Sequence, residues 1–211
     1  MRGRLITLEG GEGAGKSTML QVVRERLAAR GIEVVVTREP GGTRLGEALR
    51  ALVLDPALAP ICAESELLMM FAARAQHVRE VIAPALAAGR WVVSDRYTDA
   101  SHAYQGGGRG QPGARIDALA EWAAPLVPDL TLLLDIAPRD GLARAGARGA
   151  ADRIESEQLD FFERVREAYR ARAAAAPERF RVVDASQPAV AVRTALGVVL
   201  DEWLSALEGS R

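Results

Sequence analysis

The sequence has a single lysine. Of its 27 basic residues all but Lys16 are arginine. A chain that writes nearly every positive charge as a planar fork keeps a compact ammonium group at one place. Its one cysteine, Cys62, excludes an intramolecular disulfide and fits a reducing compartment such as the cytosol. No Cys/His pattern for zinc is present. The formal net charge is −1, so no global basic field points to a nucleic-acid polymer as partner. No apolar run reaches the ~18 residues of a membrane span. The chain enters an apolar, strand-length run at Arg4, leaving no room for a signal peptide. There is no internal repeat and no dividing linker, so the 211 residues read as one domain, 1–211.

What is present starts with Gly10-Gly11-Glu12-Gly13-Ala14-Gly15-Lys16-Ser17-Thr18. Ahead of it runs Arg4 to Glu9 as a strand; behind it Met19 to Leu27 has the spacing of an amphipathic helix. Strand, G-x-x-x-x-G-K-[ST], helix is the context of a phosphate-binding P-loop. The glycines let backbone N–H groups curl inward around phosphate oxygens. The helix adds free N–H groups and the positive end of its dipole. Lys16 brings a point charge to the outer phosphates and the Ser17 hydroxyl suits Mg²⁺.

Further on, Ile32 to Thr37 reads as a buried parallel strand ending in Arg38-Glu39-Pro40-Gly41-Gly42-Thr43, either a tight turn or a ligand loop at a strand's carboxyl end. Leu45 to Leu54 and Ala63 to Ala88 read as helices, with Pro84 placed to kink or end the second. Arg74 lies in an apolar stripe beside Met70 and Phe71, so its charge snorkels to solvent or meets a polar ligand. His77, one turn on, reads as an ordinary histidine.

Trp91 to Tyr97 is a third strand, whose Asp95-Arg96 pair beside a P-loop suits Mg²⁺ and phosphate. Ser101, Tyr104 and Gln105, at i, i+3 and i+4, share a helix face and suit the edge of a base. Gly106 to Gly110 then reads as a flexible loop. Pro112 to Ala124 is a helix and Leu130 to Asp135 a strand. The Gly/Ala-rich stretch Leu142 to Glu155, with Arg144, Arg148 and Arg153, describes a mobile cationic lid, about 144–155. A helix from Gln158 to Ala175, a strand at Arg181 to Asp184 and a helix from Val190 to Leu207 complete the chain. Strands alternating with helices predict an α/β fold of three layers, a five-stranded parallel sheet with helices on both faces.

A GTPase needs an Asn-Lys-x-Asp guanine motif, which a chain with Lys16 as its only lysine lacks. A motor or transporter ATPase is usually longer. What remains is a small kinase, and arginines outside the P-loop supply a second phosphate site.

Thr37 to Thr43, Phe71-Ala72-Ala73-Arg74, Asp95-Arg96-Tyr97, Tyr104-Gln105-Gly106-Gly107-Gly108-Arg109-Gly110, Asp152-Arg153-Ile154-Glu155 and Asp184-Ala185-Ser186-Gln187-Pro188 together resemble the bacterial thymidylate kinases whose phosphate-clamping arginines lie in the lid. The resemblance covers nearly the whole chain. It implies the P-loop nucleoside monophosphate kinase fold, ATP-dependent phosphorylation of dTMP for dTTP synthesis with Mg²⁺, a cytoplasmic location and a homodimer, the helix from Ala63 being its expected contact.

It also implies roles. Glu12 faces the sugar 3′-hydroxyl, Arg74 binds the thymine carbonyl, Gln105 the thymine edge, and Ser101 helps at the base, with Tyr104 beside them. Arg96 and Arg50 hold the acceptor phosphate, with Arg38 and the Pro40 loop at the nucleoside pocket, and Asp95 with Ser17 organises Mg²⁺. Arg144, Arg148 and Arg153 close over the ATP phosphates, and Gln187-Pro188 borders the adenine. One position departs: where the family has a Phe four residues before the arginine, this chain has Met70, followed by Phe71, and either can cover the ring. A kinase for uridylate or guanylate, and a nucleotide-binding module without turnover, are the alternatives.

Overall fold

The computed structural model describes residues 2–147 and 151–209, so Arg148 of the expected lid lies outside them. In order come β1 (Leu5–Gly10), α1 (Lys16–Ala28), β2 (Val34–Arg38), α2 (Arg44–Leu54) and α3 (Ala63–His77), the last passing through a π-helical turn, Val78–Ile82, into α4 (Ala83–Ala87). Then follow β3 (Trp91–Asp95), α5 (Thr98–Ser101) running into a second π-helical turn, His102–Gly108, α6 (Gly113–Ala123), β4 (Leu130–Asp135), α7 (Pro138–Gly146), α8 (Leu159–Ala175), β5 (Phe180–Asp184) and α9 (Ala189–Gly209).

The five strands form one parallel sheet in the order β2-β3-β1-β4-β5. Alternate side chains serve the two faces. Ile6 and Leu8 of β1, with Leu132 and Leu134 of β4, pack on Met19, Val23 and Leu27 of α1 and on Leu196 and Leu200 of α9. On the other face Leu133 meets Phe161, Phe162, Val165 and Tyr169 of α8, and Leu5 meets Val78, Ile82 and Leu86. The three-layer α/β expectation holds. Because β1 lies between β3 and β4, the chain reverses direction across the sheet there, and the crevice at that point opens beyond the carboxyl ends of β1 and β3.

Three expectations change. The β-branched run from Ile32 is not a buried central strand: β2 is an edge strand, half exposed along its length, with Val36 38% accessible. Gly106 to Gly110 is not a flexible release: Gly106–Gly108 continue the π-helical turn, and Gly107 and Gly108 press against α8. The lid stretch is not unpinned at its flanks. Leu142 to Gly146 belong to α7, and Arg153 is buried. Pro84 stands in the first turn of α4, where its missing N–H costs little after the π-helical turn.

Candidate active site

At the carboxyl ends of β1, β2 and β3 lies a cleft of about 470 Å³, within the size range of small-molecule sites. Its wall includes Glu12, Gly13, Ala14, Gly15, Lys16, Ser17, Arg38, Glu39, Pro40, Arg50, Met70, Asp95, Arg96, Tyr104 and Gln105. The P-loop and the second, arginine-rich group of sequence candidates thus share one cavity.

The P-loop side is built by glycine geometry. Gly13 has φ +67°, and a Cβ there would collide with the carbonyl oxygen of Gly141, so the loop rests against α7. Gly15 precedes α1 with no side-chain cap, which leaves the helix's first N–H groups for an anion. Lys16 Nζ donates to the carbonyls of Gly10 (3.1 Å) and Gly11 (2.9 Å). Burial and the nearby Arg96 pull its pKa down to about 8, while Glu12, Asp95 and Glu9 hold it up. Thr18 is exposed and not part of the wall.

Arg96 follows β3 at φ +70°, the only non-glycine positive φ among the described residues. That strained backbone turns its side chain under the P-loop. Its guanidinium donates to Gly10 O (2.9 Å), Tyr169 Oη (3.0 Å), Glu12 Oε1 (2.8 Å) and Tyr104 Oη (2.8 Å), and stacks 4.6 Å from the Tyr104 ring centroid. Tyr104 also donates to Glu12 (2.7 Å). Arg50 donates to Pro40 O (3.1 Å); burial and repulsion from Arg38 and Arg96 lower its pKa. A cluster of cations that repel one another is a site for an anion. Arg38 is paired with Glu47 at 2.8 Å.

Asp95 Oδ1 is buried and has no hydrogen-bond partner among the described residues. Among those residues no three His, Cys, Asp or Glu side chains gather as a metal cage. One orphaned carboxylate oxygen, on a cleft that Ser17 also lines, fits Mg²⁺, which takes few protein ligands and fills its shell with phosphate oxygens and water.

Arg74 resolves differently from either sequence option. It is 1% exposed, and its charge is met from within: Nε donates to Glu39 (2.6 Å), the terminal nitrogens to Ser101 Oγ (2.9 Å) and Tyr97 O (3.0 Å). Glu39 also pairs with His77 (2.9 Å), whose other ring nitrogen lies 2.6 Å from Thr37 Oγ1. Arg74 and Ser101 therefore stand behind the wall and support it. Met70, not Phe71, lines the cleft; Phe71 packs with Leu67 and Ile116 beneath the Arg74 guanidinium, 4.6 Å away.

Arg144 donates to the carbonyls of Ala185 (2.8 Å) and Ser186 (2.9 Å), and Gln187 next to them is tied to Asp184 (3.1 Å). The expected adenine border and one lid arginine thus come together, away from the main cleft. Arg153 goes elsewhere: it donates to Val53 O (2.6 Å) and Glu66 (2.5 Å). Its expected place on the donor phosphates would require breaking a buried ion pair, so in this structure it is not there.

The sequence reading missed Glu39, Glu66 and Tyr169. Glu66 carried a signal: it precedes Met70 and Arg74 by one and two steps of four, on the same helix face, and a carboxylate on that face needs a buried partner.

The thymidylate kinase family model matches residues 8–196. A protein named thymidylate kinase from Alkalilimnicola ehrlichii is 56% identical, covering 98% of each chain. One of the same name from Ectopseudomonas mendocina is 52% identical over 99% of this chain and all of its own. The crystal structure of thymidylate kinase from Ehrlichia chaffeensis superposes with a TM-score of 0.74 at 28% identity, over 99% of both chains.

Proposed function

The chain belongs to the thymidylate kinase family, and on that premise we propose how its cleft does the family's work. The reaction is phosphorylation of thymidine monophosphate to the diphosphate with ATP as donor, a step of dTTP synthesis. Gly10 through Thr18 take the donor phosphates, Lys16 at the outer ones. Gln187 and Pro188 border the adenine, and Arg144 and Arg148, in a lid of about 144–155 on a single kinase domain, close over the donor. Arg50 and Arg96 take the acceptor phosphate, with Arg38 and Pro40 beside them and Glu12 at the sugar. Met70 covers the thymine ring, Gln105 meets its edge, and Arg74, Ser101 and Tyr104 hold that wall in place. Arg153, bound to Glu66, serves the acceptor side.

The observation that carries this reading is the cation cluster on the same cleft as Lys16, where Arg50 is weakened by burial and by Arg38 and Arg96. The acceptor is a phosphate monoester with a second pKa of ~6, already a nucleophilic dianion in large part at neutral pH, so no general base is needed. The residues have to align two polyanions and exclude water. Asp95 and the Ser17 hydroxyl would hold Mg²⁺, which when bound neutralises charge on the transferring group.

We infer a homodimer with its contact on α3 and α6, where Leu68 and Trp122 are 59% and 82% exposed, and a cytoplasmic location for a chain with an exposed free Cys62. Steady-state kinetics of Arg50→Met test the acceptor site. The KM for dTMP should rise at least ~10-fold with that for ATP unchanged. An equal rise in both, or in neither, would refute it.

A further inference from the structure

Glu66 is wholly buried on α3 and collects three donors: Gln105 Nε2 at 3.0 Å, Arg109 Nε at 3.2 Å and Arg153 at 2.5 Å. Burial alone pushes its carboxyl pKa up, but the hydrogen bonds from Gln105 and Arg153 and the charge of Arg109 outweigh that and hold it below the usual range. An ionised carboxylate only accepts hydrogen bonds. The Gln105 amide can therefore meet it only nitrogen first. Its other end, Oε1, is buried with no partner among the described residues, on a side chain that belongs to the cleft wall beside Met70. A buried acceptor left bare costs free energy until a donor reaches it.

We propose that Glu66 is a specificity-determining positioning residue: by fixing the Gln105 amide it makes the site demand a ring N–H from the base. The proposal rests on the reading that the acceptor is a thymine nucleotide with Gln105 at its edge. Thymine and uracil carry N–H at ring position 3. Cytosine carries a lone pair there and would set acceptor against acceptor. Arg109 and Arg153 act one step further back, because they keep Glu66 charged inside the protein. Without that charge the amide could turn over and offer N–H instead, and the distinction between the two kinds of ring would fade.

The test compares kcat/KM for dTMP and dCMP in the wild type, Glu66→Gln and Glu66→Asp, with ATP saturating. A glutamine at 66 can donate, which frees the Gln105 amide to turn; an aspartate keeps the charge but withdraws it by one methylene. Both variants should lose at least ~10-fold of the dTMP preference, through the monophosphate KM, with the ATP KM held. A folded variant that keeps the wild-type preference, or loses both substrates in equal measure, overturns the proposal. Removing a buried carboxylate beside two arginines can unfold the chain, so the wild type is also given 3-methylthymidine monophosphate, which lacks the ring donor. Binding as tight as that of dTMP overturns the proposal with no variant at all. A wild type that fails to phosphorylate dTMP would instead strike the thymine-acceptor reading.

Discussion

Beneath the phosphate loop, Glu9 is a carboxyl group with no access to water. It accepts from Tyr97 N (2.8 Å) and Tyr169 Oη (2.7 Å). Burial, aided by Asp99, pushes its pKa up to about 8, with Arg96 and the two hydrogen bonds pulling the other way. In the unfolded chain it ionises near 4.5. Between those values the unfolded state releases a proton that the native state keeps, so stability falls as pH rises across that window and levels off above it. Glu9→Gln removes the titration while keeping an acceptor for Tyr97. Its melting temperature relative to wild type should improve steadily from pH 5 to pH 8; an offset that does not change with pH would contradict this. At this scale the sequence was legible where chemistry is local. That Lys16, Ser17 and Asp95 line one cleft could be expected from motif and neighbours. Arg74 could not, because Glu39, its partner, comes from a loop 35 residues earlier and only the fold brings the two together.

Among elements, the π-helical turn His102–Gly108 departs most from a sequence reading. Three glycines in a row signal a loop when judged by backbone freedom. Here the demand is for space. A Cβ on Gly108 would strike the Phe161 ring, and one on Gly107 would stand 2.7 Å from the Ala168 Cβ. The close approach lets Tyr104 and Gln105 reach the cleft while α8 braces them, with Tyr104 edge-on to Phe161 and Tyr169 at 6.2 and 6.3 Å. Gly108→Ala should therefore destabilise by about 1–3 kcal/mol through overpacking, measured by urea denaturation, and should weaken dTMP binding with it. Full stability in that variant would mean the turn is free to shift. The misreading of β2 has another cause. A run of β-branched residues looks the same at the edge of a sheet as in its middle, and strand order depends on crossovers that periodicity does not record.

For the whole molecule, the alternation of strands and helices sufficed for the layered architecture, and the position of the P-loop after β1 sufficed for where the cleft opens. The dimer contact proposed above is not legible in the sequence, since an apolar helix face reads alike whether a core or a second chain covers it. Trp122→Ser with Leu68→Asp should leave a folded monomer by light scattering; an unchanged oligomer would move the interface elsewhere. The solitary lysine has a last consequence. With a pKa of about 8, its amine is about half deprotonated in mildly alkaline buffer, and no other side chain of the protein can be acylated as an amine. An amine-selective electrophile should therefore add one equivalent to the side chains, apart from what the α-amine takes up, and peptide mass mapping at Lys16 becomes a direct gauge of whether the donor seat is taken. Saturating ATP should block that addition, and modification undiminished by ATP would put the triphosphate somewhere other than on Lys16.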